Sequence, residues 1–417
     1  MAALKAFHVS DVPNLEKASL SLYSTRFSNG VELNRAASCR ISNFLLIGHR
    51  GHGMNILQSS DSRMKAIKEN SLLSFNSAAK FPLDFIEFDV QVTKDDYPVI
   101  FHDDVILSEE NACLFLLHTI FVHIYIIQRL NFENWYEFQG TIFEKRVTEL
   151  CLAEFLCYGP QKEAGKEGKC LYRKTKDGKF EKWNVETDDS LCTLQEAFLK
   201  VEPSLGFNIE LKFDDYKVYQ QDHLTRILQV ILQVVFEFAI DRPIIFSTFQ
   251  PDAAQLVRKL QNNYPVYFLT EGGTETYYDV RRNSLEEAMK VCLEGGLQGI
   301  VSEIKGVFKD PGAVRKIKHS NLSPHLWQTE YCLFNCSNVP EAVCMQYLMG
   351  INGVIVDFVA EISQTVVDGM IKPDEVIIGE ESLSEGNGES EANSKLEFSE
   401  KELSFLLKLI PELIQQH

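Results

Sequence analysis

The sequence predicts an α/β fold, a (β/α)8 TIM barrel with an insertion after the third strand and a C-terminal tail helix. Three observations lead there. Short apolar runs alternate with helix-period stretches from about residue 44 to 372, which implies a parallel sheet with helices packed outside it. Eight or so strands, with insertions removed, fall within about 250 residues, the size of such a barrel. Polar residues recur at strand ends all along the chain rather than at one switch point, which disfavours the main competitor, a doubly wound open sheet.

Residues 1–43 have no h-region, so a secretory signal is not expected. The segment is Ser-rich and carries Lys5, Lys17, Arg26, Arg35 and Arg40, but also Asp11, Glu16 and Glu32. It reads equally as an organelle transit peptide or as a disordered N-terminus. The expected body spans 44–372. Its candidate strands are 44–48, 85–92, 97–101, 206–212, 243–248, 265–269, 299–303 and 353–357, with a further one near 322–328. Helices are expected at 71–80, 194–201, 222–239, 252–262, 284–294 and 340–349.

Two strands reveal their faces. Ile86, Phe88, Val90 and Val92 alternate with Glu87, Asp89 and Gln91. Phe207, Ile209, Leu211 and Phe213 alternate with Asn208, Glu210 and Lys212. A period of two puts each set on opposite faces. An antiparallel strand with one wet face would look the same, but the flanking helical segments argue against it. Thr93 to Pro98 reads as a tight turn into the next strand.

Residues 104–193 break the alternation and form the insertion region. Gly159 to Gly178 is polar and reads as a surface excursion. Cys113 to Ile127 is apolar but interrupted by His118 and His123. It falls short of the ~20 residues of a membrane span, so no stable membrane insertion is expected. After the body, 373–398 reads as an acidic flexible linker and 399–416 as an amphipathic helix, started by the Ser399/Glu402 capping box and ended or kinked by Pro411. That helix would dock on the barrel or on a partner. A formal net charge of −18 excludes an ordinary nucleic-acid face. The ten Cys show no CxxC or zinc spacing and read as reduced thiols.

The chemistry lies at the strand ends. Glu87, Asp89 and Glu210 are hard oxygen donors, and three converging carboxylates repel unless a divalent cation neutralises them. Oxygen-only ligation favours Mg2+ or Ca2+ over Zn2+, with Mg2+ placed first. The competing reading is an internal ion network with Arg50 and Lys212. His49 and His102 suit general acid and base. Arg50 could fork onto phosphate oxygens and Lys212 offer a point charge. Glu69 could fix Arg50 or His49 from behind, while Asn70 could either support the site or cap the helix starting near Ser71. His52 reads as a loop residue. An anion held by Arg, Lys and a metal beside two His describes phosphodiester cleavage.

His49-Arg50-Gly51, Glu69-Asn70-Ser71, Ile86-Glu87-Phe88-Asp89-Val90, Val99 to Asp103 and Asn208-Ile209-Glu210-Leu211-Lys212, in this order, resemble the motif set of the glycerophosphodiester phosphodiesterases. Gly51 to Asn55 and the closing helix are similar to plant plastid-type members. The resemblance implies a TIM barrel and hydrolysis of glycerophosphodiesters, such as glycerophosphocholine and glycerophosphoethanolamine, to sn-glycerol 3-phosphate and an alcohol. It implies a divalent cation on Glu87, Asp89 and Glu210, His49 and His102 as the acid/base pair, and a role in phospholipid turnover and phosphate supply in the chloroplast. Cytoplasmic residence is the alternative. Two segments depart from the pattern. Ala112 to Phe143 intervenes where relatives are short, and 322–337 carries Pro324, which cannot donate to a central ladder. A catalytically impaired chain acting as a binding barrel, or a phosphatidylinositol-type phospholipase C, therefore stand as alternatives.

Overall fold

The computed structural model describes residues 44–110, 141–175, 177–215, 217–310, 312–327 and 340–368. The expected N-terminal extension, the apolar stretch Cys113 to Ile127, the acidic linker and the tail helix lie outside the described residues.

Fourteen strands are present among the described residues: β1 (Leu45–Gly48), β2 (Phe85–Val92), β3 (Pro98–Ile100), β4 (Val105–Glu110), β5 (Thr141–Arg146), β6 (Tyr172–Lys174), β7 (Phe180–Lys182), β8 (Cys192–Thr193), β9 (Gly206–Leu211), β10 (Ile244–Thr248), β11 (Val266–Thr270), β12 (Gly299–Glu303), β13 (Ser323–Trp327) and β14 (Gly353–Val356). Eight of them lead into helices along the chain. The helices are Leu72–Ala78 after β1, Leu194–Lys200 at the end of the insertion that follows β2, Gln221–Phe238, Pro251–Leu260, Leu285–Gly295, the pair Ile304–Lys309 and Gly312–His319, Pro340–Leu348, and Val359–Asp368 after β14. This is the eightfold strand-then-helix order that the sequence predicts.

The chain divides into two compact units. The first holds β1 and β11 to β14, in the order β1-β14-β13-β12-β11, with every neighbouring pair parallel. The further strand expected near 322–328 is β13, and Pro324 does not interrupt it. Pro324 sits opposite Ile300 inside β13, and its carbonyl accepts from the Asn352 amide at 2.9 Å. Pro lacks a donor but not an acceptor, and this register uses only the acceptor.

The second unit runs from His49 to Lys80 and from Ile86 to Leu260. Its main sheet has the order β10-β9-β2-β3-β8, with β9 and β10 parallel. β3 is antiparallel to β2, so the predicted strand 97–101 closes a hairpin and is not one of the eight. The turn is the one expected: Asp96 donates to the Thr93 carbonyl and lies in the left-handed region at φ 64°. Every residue of β2 is buried, which removes the wet-face reading. Phe88 packs on Phe75 of helix Leu72–Ala78 and edge-on against Phe207 of β9, with centroids 5.2 and 5.0 Å apart. That packing aims Glu87 and Asp89 at the other face.

The insertion contains more order than its composition suggests. β4 to β7 make an antiparallel sheet in the order β5-β4-β6-β7. Thr141, Ile142 and Phe143 pair with Glu110, Glu109 and Ser108, so the last residues of the intervening stretch belong to β5. A cluster of Phe101, Ile106, Val147, Phe155, Leu171 and Trp183 forms the local core and ties this sheet to β3.

Candidate active site

All the predicted site residues lie in the second unit. His49 and Arg50 follow β1. Arg50 has φ 47° and Gly51 φ 91°, so the chain turns sharply there. A Cβ on Gly51 would stand 2.6 Å from Ser74 Oγ, which is why the position needs glycine. The turn directs the Arg50 amide to Glu87 Oε2 at 2.9 Å and brings His49 Nε2 to 3.9 Å from the same oxygen.

Glu87, Asp89 and Glu210 come together: each offers a carboxylate oxygen within 4.8 Å of the others. Glu87 and Asp89 are 3% and 1% exposed. Burial foremost, then repulsion from Asp89 and Glu210, pushes the Glu87 carboxyl up to about 8, although His49 and the Arg50 amide pull the other way. For Asp89, burial also works against the charge, but His102, Lys212, Arg50 and the Asn70 hydrogen bond outweigh it and hold the carboxyl well below the usual range. Lys212 Nζ lies 3.0 Å from Glu210 Oε1 and 3.6 Å from Asp89 Oδ1. Even so, the buried atoms Glu87 Oε1 and Asp89 Oδ1 make no hydrogen bond among the described residues. Buried oxygens are normally satisfied. Such oxygens, facing a third carboxylate, are of the type that could hold a hard divalent cation.

Arg50 serves the cluster more than the sequence suggests. Its Nη1 donates to Glu69 Oε1 at 2.8 Å and its Nε lies 3.6 Å from Asp89 Oδ2. At 4% exposure the guanidinium needs anionic partners, so part of the fork expected for phosphate is already engaged. Asn70 is not the helix cap. Ser71 caps the helix by accepting from the Ser74 amide, while Asn70, at φ 54°, donates from Nδ2 to Asp89 Oδ2 at 2.8 Å. His52 is half-buried, and its amide donates to Ser74 Oγ at 2.8 Å.

His102 follows β3 and is 28% exposed at its side chain. Its Nδ1 bonds Asp103 Oδ1 at 2.8 Å. Gln91 Nε2 donates to the carbonyls of Phe101 and Asp103, both at 2.9 Å, and pins the backbone on either side of it. Asp103 and Arg173 are the members that sequence reasoning gave no role. Arg173 Nε and Nη2 fork onto the two Asp103 oxygens at 3.0 and 3.2 Å. Nη2 also donates to Glu69 Oε1, and Nη1 to the Asn55 carbonyl at 3.0 Å. The His-Asp dipeptide was a readable signal for Asp103. Arg173 had none, because it comes from the polar excursion 70 residues from its partner.

Residues 49–361 match the Glycerophosphoryl diester phosphodiesterase family. The chain belongs to that family. It is an enzyme, a phosphoric diester hydrolase acting on glycerophosphodiesters, and the family is metal-dependent. Glycerophosphodiester phosphodiesterase GDPD2 of Arabidopsis thaliana is 56% identical over 413 residues, covering 99% of this chain and 100% of that one. Glycerophosphodiester phosphodiesterase GDPD1, chloroplastic, from the same plant is 56% identical over 418 residues, covering 99% of each. Among solved structures, a putative glycerophosphoryl diester phosphodiesterase from Silicibacter pomeroyi aligns over 79% of this chain and 95% of that one, with TM-score 0.51 and 17% identity. That likeness speaks for the fold alone, and the fold class is the TIM barrel expected. No helix among the described residues is long and apolar enough to cross a membrane.

Proposed function

We propose that this phosphodiesterase cleaves its substrate with His49 and His102 as the acid/base pair, with Glu87, Asp89 and Glu210 holding a divalent cation, Mg2+ before Ca2+, and with Arg50 and Lys212 on the phosphate. The observation that carries the reading is the convergence of three carboxylates within 4.8 Å, two of them with buried oxygens that make no hydrogen bond among the described residues, beside both histidines. A cation bound there supplies charge neutralisation and polarisation of the phosphoryl oxygens. Asp103 holds a proton on His102 Nδ1, which leaves Nε2 as the atom that exchanges a proton with substrate. One imidazole takes a proton from the attacking water as the water oxygen bonds phosphorus. The other gives a proton to the alcohol oxygen as the phosphorus–oxygen bond breaks. Lys212, kept cationic by Glu210 and Asp89 against the cost of burial, offers a fixed positive charge to the anion.

Glycerophosphocholine and glycerophosphoethanolamine are the proposed substrates, and the plastid is the proposed compartment. The second is supported by the name of one 56% identical relative. The test is release of sn-glycerol 3-phosphate from glycerophosphocholine by the purified chain with Mg2+, with Ca2+ and with a chelator. Cation-dependent release supports the reading. Equal release in chelator overturns the metal assignment.

A further inference from the structure

Asp103 does not orient itself. Its side chain is 30% exposed, and an unrestrained carboxylate there could turn to water rather than to His102. Arg173 removes that freedom. Two of its nitrogens fork onto Asp103, and its guanidinium carbon lies 3.5 Å from the Trp183 ring centroid. The Asn55 carbonyl and Glu69 take further donors. Burial works against the Asp103 charge, but Arg173 and then His102 outweigh it and hold the carboxyl well below the usual range. The planar fork thus sets the plane of the carboxylate, and the carboxylate sets the ring of His102. Through Glu69 Oε1, the same guanidinium reaches a carboxylate that also holds Arg50.

We infer that Arg173, delivered by β6 of the inserted sheet, is a positioning residue of this phosphodiesterase that locks Asp103 against His102 Nδ1 and so presents Nε2 to the substrate. The inference rests on the reading of His102 as a proton-transfer group. It assigns the insertion a part in catalysis: the sheet supplies the outermost member of an Arg173–Asp103–His102 chain. A lysine cannot take its place, because a point charge does not fix a carboxylate plane.

The test uses the full chain with glycerophosphocholine and Mg2+. Arg173→Ala is expected to lower kcat about 10–100-fold, with KM changed less than about threefold. Mg2+ affinity by calorimetry should be unchanged, because Glu87, Asp89 and Glu210 are untouched. Added guanidinium should restore kcat to Arg173→Ala, and Arg173→Lys should stay impaired. A folded Arg173→Ala with wild-type kcat overturns the inference. So does a loss of kcat that guanidinium does not restore and that brings a loss of Mg2+ binding, the signature of a merely structural clamp. If Arg173→Ala does not fold, Asp103→Asn takes over: it must lower kcat with Mg2+ affinity intact, and wild-type kcat there overturns the inference. His102→Ala separates the two readings. If it retains wild-type kcat, the role of His102 falls. If it is inactive while Arg173→Ala is not, only the inference falls.

Discussion

Glu69 offers the sharpest quantitative test of how the site is held. Its side chain is 0% exposed, and it accepts from Arg173 Nη2, Arg50 Nη1 and the Asn55 amide. Burial alone would raise its carboxyl, but Arg173 and then Arg50 outweigh it and bring it to about 2 from an ordinary 4.5. Each tenfold in that equilibrium is worth about 1.4 kcal/mol, so the ionised group contributes roughly 3 kcal/mol to stability at pH 7. Glu69→Gln keeps the shape but removes the charge and turns an amide N–H2 toward other donors. The expected loss is about 3 kcal/mol, within the range for breaking a buried pair. Because the folded value is depressed, this stability is present above about pH 4.5 and lost as pH falls toward 2. Urea unfolding of both chains should give a constant difference between pH 7 and 5 that shrinks below pH 4. A difference under about 1 kcal/mol at pH 7, or one that persists unchanged at pH 2.5, refutes the reasoning.

Glu87→Ala should abolish cation-dependent turnover while the far-ultraviolet dichroism stays native, and retained activity at saturating Mg2+ would remove Glu87 from the ligand set. Lys68 is 2% exposed, and burial brings its ammonium down to about 8 from 10.5. The charged form is therefore the destabilised one, and stability relative to Lys68→Met should rise by up to about 3 kcal/mol as pH climbs from 8 to 10.5. Equal differences in urea midpoint at pH 7.5 and 10 would contradict this. Gly51→Ala should cost on the order of 2 kcal/mol and depress kcat, since a Cβ would meet Ser74 Oγ at 2.6 Å and Phe75 Cδ1 at 2.7 Å. Unchanged thermal stability and activity would show that the turn relaxes without moving His49.

Period-two alternation in 85–92 made Glu87 and Asp89 share a face, and the strand-end positions of His49, His102, Glu210 and Lys212 made one cluster of them. Both are local signals, and the fold realises each. What was not legible depends on partners distant in sequence. Arg173 meets Glu69 across 104 residues, and nothing in a polar, Gly-containing stretch says which of its basic residues will be buried. Asn70 was ambiguous because Asn suits both a cap and a left-handed turn. Only the position of Asp89 decides between them. The strand near 322–328 is realised as β13, but whether the missing donor of Pro324 matters was not legible, because the register determines whether that donor is needed at all.

The ring of Trp183 has a use beyond packing. It is 4% exposed, lies 3.5 Å from both Lys68 Nζ and the Arg173 guanidinium carbon, and donates from Nε1 to Asn55 Oδ1 at 3.1 Å. An indole set between two positive charges experiences a strong local field, and its emission responds when either charge moves. The enzyme thus carries a built-in optical reporter on the same guanidinium that grips Asp103. The chain has three tryptophans, so replacing Trp135 and Trp327 isolates the signal. Stopped-flow fluorescence would then follow, without any label, the seating of the inserted sheet during folding and any shift in it as substrate arrives.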